Sequence, residues 1–353
     1  MNFDLDEDQL LTRDTIGRFL GPVDIAARHA MRKTDGGYPR PRWQEVADLG
    51  LLALAAPEAM GGLGGTMVDL ALAAEALGKG LAIDPWLENG VLPIRLAAAA
   101  GDAALVEQLI AGSRLAAVAF AEPERRYADE AVGTTADGDA ITGAKTFVPG
   151  AAIADTLLVT LAGNRLGKVA RNGGSLVHQV YPVIDGSHAG AIDFHRAPAE
   201  IFDLPATKFA RILGDVRLLA AAEMVGLAQT MFDDTLAYVR EREQFGVAIG
   251  SFQALQHRLV ECYAALELAR SMVLRTAMLD PTSDDANWSR VAAGAKAYVG
   301  EVGMRIGLEA VQMHGGMGQT DELAIGHGLK RVMLLDRLFG DQDHCLRSYA
   351  RAA

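Results

Sequence analysis

Cysteine is scarce: Cys262 and Cys345 are the only two in 353 residues. Two thiols make neither a disulfide framework nor a cysteine metal cluster, so a reducing cytoplasm is the expected location. Long apolar runs are missing too, and no window reaches the roughly 20 apolar residues of a membrane span. The opening MNFDLDEDQLL is acidic and lacks the basic flank and apolar core of a secretory leader. The eight histidines never fall into H-E-x-x-H or a comparable ligand spacing, which argues against a metal site. No G-x-S-x-G elbow is present, removing the commonest serine-hydrolase arrangement. Basic residues number 33 against 45 acidic ones, and the net charge of −12 argues against a general nucleic-acid binder. A local basic pocket for a phosphorylated ligand is compatible with that balance.

What is present is apolar patterning. Half of the residues are hydrophobic, enough for two or three domains with substantial cores. Residues 1–113 carry helical signals: in TMVDLALAAEALG, Thr66 and Asp69 resemble a capping box, Gly78 supplies a stop, and an apolar stripe runs between. Residues 114–205 change to short apolar or alternating runs (LAAVAFAE, TLLVTL, SLVHQVYPVID), with a hairpin turn expected at Ala136–Asp139. Consecutive strands without helices between them predict an antiparallel sheet or barrel. Residues 206–353 carry long helical stripes, among them Ala220, Met224, Leu227 and Met231, then Leu255, Leu259, Cys262 and Leu266. Such stripes predict a helical bundle. The expected class is α+β and multidomain: a helical N-terminal domain, a barrel-like antiparallel β middle domain, and a C-terminal bundle.

Two segments carry the chemistry. In YVREREQFGVAIGSFQ, residues 238–253, a helix ends in charge, passes through Phe245-Gly246, and restarts at Ser251. Arg242 suits a phosphate because a guanidinium donates two parallel hydrogen bonds; Phe245 suits a ring, and Gln253 a polar edge. In AVQMHGGMGQTDE, residues 310–322, Gln312 closes a helix and Gly315, Gly316 and Gly318 allow close backbone approach. The GGLGG run at 61–65 lacks the preceding strand and following Lys-Ser/Thr of a phosphate loop, and reads as a turn between helices.

The whole chain resembles the acyl-CoA dehydrogenase family. REQFGVAIGSFQALQHRL is similar to that family's R-x-x-F-G-x-x-I-x-x-x-Q segment, and QMHGGMG to its Q-x-x-G-G-x-G. The resemblance implies a C-terminal four-helix bundle and FAD held largely across subunits. Arg242, Gln244, Phe245, Phe252 and Gln253 would contact its pyrophosphate and adenosine part, and Gln312 through Gly316 would line the same trough. Phe147 and Val148, in GAKTFVPG, stand where the family packs W-I-T on the flavin ring. AEPERRYAD stands where the family carries T-E-P-x-x-G-S-D, with Ala121 for the Thr and Tyr127 for the Ser. The resemblance further implies an acyl-CoA substrate, an electron-transfer flavoprotein as acceptor, a dimer or tetramer, and a place in fatty-acid or lipid metabolism.

The family reaction needs a carboxylate to take the α proton while hydride leaves the β carbon. Both positions that the resemblance assigns to this Glu are apolar here, Phe339 in LFGD and Val216 on the helix leading to Arg242. Substitutes are Asp215, next to Val216, and Glu223, seven residues on and about 10 Å further along the helix axis. Two expectations follow: an FAD-dependent acyl-CoA dehydrogenase with a displaced base, or a half-site subunit of a hetero-oligomer that lends its FAD-binding segments to a homologous partner.

Overall fold

The computed structural model describes residues 5–125, 127, 130–172, 176–279 and 285–351. The helices α1 (Glu7–Leu20), α2 (Ile25–Arg32), α3 (Arg40–Asp48), α4 (Met67–Lys79), α5 (Leu92–Ala99) and α6 (Ala103–Ile110) come first. The strands β1 (Ala116–Ala119), β2 (Thr135–Asp137), β3 (Ala140–Pro149), β4 (Thr156–Leu161), β5 (Arg165–Ala170), β6 (Leu176–Pro182), β7 (His188–Pro198) and β8 (Glu200–Asp203) follow. Then come α7 (Ala206–Glu241), the short strands β9 (Glu243–Gln244) and β10 (Val247–Ala248), α8 (Gln253–Ala277), α9 (Asp285–His314), α10 (Ala324–Arg337) and α11 (Gln342–Arg351). Two compact units emerge: Met1–Ala26 with Met67–Ala82 and Arg217–Ala353, and Ala27–Thr66 with Ile83–Val216. No helix among the described residues is long and apolar enough to cross a membrane.

The second unit contains two four-stranded sheets, ordered β1-β4-β5-β8 and β2-β3-β7-β6. Pairing is antiparallel as expected, with one exception: β1 and β4 run parallel. A parallel pair needs a long crossover, and the β2–β3 hairpin in the other sheet supplies it. Gly138, at φ +58, turns that hairpin. All six residues of β4 are buried, which explains why TLLVTL shows no alternation. Ile141, Val148, Leu157, Val159, Ile192 and Phe194 form the core of this unit.

The first unit is helical. Ala220, Met224, Leu227 and Met231 of α7 are at most 2% exposed, and Cys262, Leu266, Ala292 and Ile306 are equally buried. These stripes turn inward because an unburied apolar face forfeits about 25 cal/mol per Å². Gly78 does not stop α4, which runs on to Lys79. It serves instead as a crossing point: a Cβ there would fall 2.1 Å from the Glu223 carbonyl oxygen of α7. Gly226 answers it, where a Cβ would fall 2.0 Å from the Glu75 carbonyl oxygen of α4. Missing side chains let the two backbones touch.

Candidate cofactor site

The corner between α7 and α8 is a closed, hydrogen-bonded loop. Arg242 follows the last turn of α7; its amide donates to the Tyr238 carbonyl and its own carbonyl accepts from Ile249, both at 2.8 Å. Beyond it β9 and β10 pair antiparallel around Phe245-Gly246, which take φ of +55 and +80. Two successive positive φ values mark the tight hairpin turn whose twist matches its strands. A bulky residue in that region is strained, and Phe245 is also 94% exposed, so it does not serve to close the bundle corner. Phe252 meets it edge-on with centroids 6.2 Å apart. Arg242, Gln244 and Gln253 are exposed, and among the described residues the Arg242 side chain makes no hydrogen bond or ion pair.

At the end of α9, Gln312 is exposed, and Gly315 (φ +62) and Gly316 border open space where a Cβ would project. Gly318 differs, with the Val311 carbonyl oxygen 2.8 Å from its ideal Cβ. The two segments meet at His314, whose ring stacks on Tyr238 with centroids 4.2 Å apart and planes at 22°. The buried His314 also holds the Ala310 carbonyl through Nδ1 at 2.8 Å. An open guanidinium, two exposed aromatic rings, three exposed glutamines and two glycines with room above them fit a nucleotide bearing a pyrophosphate.

In the other unit, Phe147 lies at a β-bulge between Lys145 and Val148, with φ +49 and a half-buried side chain. Val148 is 1% exposed, packs into the sheet core and pairs with Gly190 of β7. The glutamate of AEPERRYAD, Glu122, has a structural job. Glu122 accepts from the amides of Val132, Gly133 and Thr134 and from the Thr134 hydroxyl, and pairs with Lys145 at 3.3 Å. Burial opposes the Glu122 charge, but those donors together with Lys145 outweigh it and hold its carboxyl at about 2. Lys145, almost fully buried, is pulled down to about 8 by desolvation.

Both positions assigned to the base are packed away: Val216 is 0% exposed and Phe339 3%. Glu223 is held bidentately by Arg331 at 2.7 and 3.2 Å. Asp215 pairs with Arg95 at 2.6 Å and with Arg211 at 3.7 Å. The Phe339 turn is itself fixed by buried cations that sequence reading passed over. Arg217 donates to the Phe339 carbonyl at 2.7 Å, and Lys296 to those of Asp336 and Gly340 at 2.9 and 2.7 Å. The signal for Lys296 was its place on the apolar stripe of α9, four residues after Ala292.

Comparison with known proteins identifies the family. Residues 6–110 match the model of the acyl-CoA dehydrogenase N-terminal domain, and residues 208–353 that of the C-terminal domain. The acyl-CoA dehydrogenase IpdE2 of Mycolicibacterium smegmatis is 30% identical over 345 residues, covering 97% of this chain and 98% of its own. The probable acyl-CoA dehydrogenase YngJ of Bacillus subtilis is 29% identical, covering 95% of both. Among solved structures, the Tcur3481-Tcur3483 steroid ACAD superposes with a TM-score of 0.87 at 26% identity, over 98% of this chain and 96% of that one. The chain belongs to the acyl-CoA dehydrogenase family, whose members depend on FAD.

Proposed function

We propose that this chain works as an FAD-dependent acyl-CoA dehydrogenase, introducing an α,β double bond into an acyl-CoA thioester. The observation that carries the reading is the Tyr238–His314 stack, which joins the two FAD-type segments into one exposed surface. Arg242 offers its fork to a pyrophosphate, while Gln244, Gln253 and Gln312 offer polar edges. Phe245 and Phe252 offer ring faces, and Gly315 and Gly316 let backbone come close. Phe147 would border the ring end of the cofactor, with Val148 buried behind it. FAD, when bound, supplies the hydride acceptor that no side chain provides. The chain's own share is to hold the nucleotide and to exclude water with its apolar packing.

The α proton needs a carboxylate to receive it. Val216 and Phe339 offer none, and Glu223 and Asp215 are each engaged by arginine. This favours a second reading, in which the chain is the half-site subunit of a hetero-oligomer and lends Arg242, Gln253 and the Gln312 segment to a homologous partner's FAD. The Tcur3481-Tcur3483 relative, whose name joins two components, is compatible with either reading. Either form would be a cytoplasmic dimer or tetramer passing electrons to an electron-transfer flavoprotein. The test is the visible spectrum of the chain purified alone and after co-expression with a homologous subunit. Flavin bound by the lone chain and bleached by an acyl-CoA supports the first reading. Flavin acquired only with the second subunit supports the other.

A further inference from the structure

The segment Trp86–Val91 forms a single π-helical turn, and all six of its residues are buried. Such turns are rare and concentrate at functional sites, because the wider turn pushes one side chain where an α-helix would not. Within this turn Asn89 is 1% exposed. Its Nδ2 donates to the Ala116 carbonyl of β1 at 2.9 Å. This bond fixes the amide orientation, since the flipped amide would set two carbonyl-type oxygens face to face. The Oδ1 is therefore aimed the other way, and it is buried without a hydrogen-bond partner.

What Oδ1 meets is Gly150. That residue has φ +66, and a Cβ built on it would stand 1.8 Å from Asn89 Oδ1. Gly150 ends the segment that begins at Phe147, and its amide donates to the His188 carbonyl at 3.0 Å. The segment has two left-handed residues and a bulge, so it lacks the continuous ladder that holds an ordinary strand in place. Asn89 supplies the missing stop. Movement of Gly150 toward the π-turn collides with the amide, and movement away opens a void in a packed core.

We propose that Asn89 is a positioning residue, whose amide sets where the Phe147–Gly150 segment stands and thereby the surface offered to the flavin ring. The second half of this statement rests on the cofactor reading of Phe147 and Val148; the first half does not. The full chain is compared with Asn89→Ala, Gly150→Ala, the double variant, and Asn89→Asp, which keeps the shape but loses the donor. In the apo chain, Asn89→Ala and Asn89→Asp are expected to raise amide exchange at residues 147–151 by about tenfold while helices α8 and α9 keep theirs. Gly150→Ala lowers the urea midpoint, and adding Asn89→Ala recovers part of the loss because the new methyl gains room. In the FAD-loaded chain, Asn89→Ala changes the visible circular dichroism of the flavin. Unchanged exchange at 147–151, or strictly additive losses in the double variant, would overturn the role of Asn89. A wild-type chain that takes up no FAD would overturn the cofactor reading of Phe147 and Val148, while exchange and coupling still decide the first half.

Discussion

Tyr238 and His314 lie on different helices, yet their rings stack at 4.2 Å and bind the arginine corner to the glycine turn. An aromatic pair of this kind contributes about 0.5–1.5 kcal/mol beyond its buried area. Tyr238→Ala is therefore expected to weaken FAD binding about three- to tenfold, and Tyr238→Phe to leave it unchanged, as read by flavin fluorescence titration. Equal affinities for all three proteins would separate the stack from the cofactor.

Arg242 is the residue at this corner whose geometry a lysine does not copy. Arg242→Lys keeps the charge and loses the planar fork, so FAD affinity is expected to fall by about tenfold or more. Titrations at low and high salt provide the check: retained affinity in the lysine variant would mean that charge alone suffices.

Glu223 and Arg331 form a buried, two-bonded pair with side chains 10% and 7% exposed. Glu223→Gln removes the negative charge from this buried pair, at an expected cost of about 3 kcal/mol in urea unfolding. A variant that keeps wild-type stability and loses only turnover would recast Glu223 as the proton acceptor.

Two buried lysines raise stability as pH rises, against Cys262, Cys345 and Tyr38, whose titration burial pushes up. Burial pulls Lys145 and Lys296 down to about 8, whereas in the unfolded chain both titrate near the ordinary lysine value. Between about pH 8 and 10 each lysine then binds more protons in the unfolded chain than in the folded one, so its own contribution to stability rises with pH across that window. The wild-type urea midpoint is expected to gain on that of Lys145→Met between about pH 7.5 and about pH 9.5. Parallel pH profiles for the two proteins would contradict the assignment.

The helical stripes were legible because periodicity is local: Ala220, Met224, Leu227 and Met231 are all buried, as their spacing requires. The REQFG and QMHGG segments were legible through residue identity. Their meeting through Tyr238 and His314 was not, since a stack between distant segments leaves no trace in local pattern. The parallel β1–β4 pair was hidden for the same reason, because neighbouring strands in sequence suggest antiparallel hairpins. Gly78 was misread as a stop, since a glycine that ends a helix and one that lets another helix touch it look alike in sequence. The Asp6–Gln9 capping box on α1 had its D-x-x-Q signature in plain view and was passed over for the one at Thr66.

The decisive measurement is the visible spectrum of the full chain purified alone, followed by anaerobic titration with an acyl-CoA. The expected result is a yellow protein with one FAD per chain that bleaches as the thioester is added. A colourless chain that turns yellow only with a homologous subunit, at one FAD per pair, would contradict an autonomous dehydrogenase.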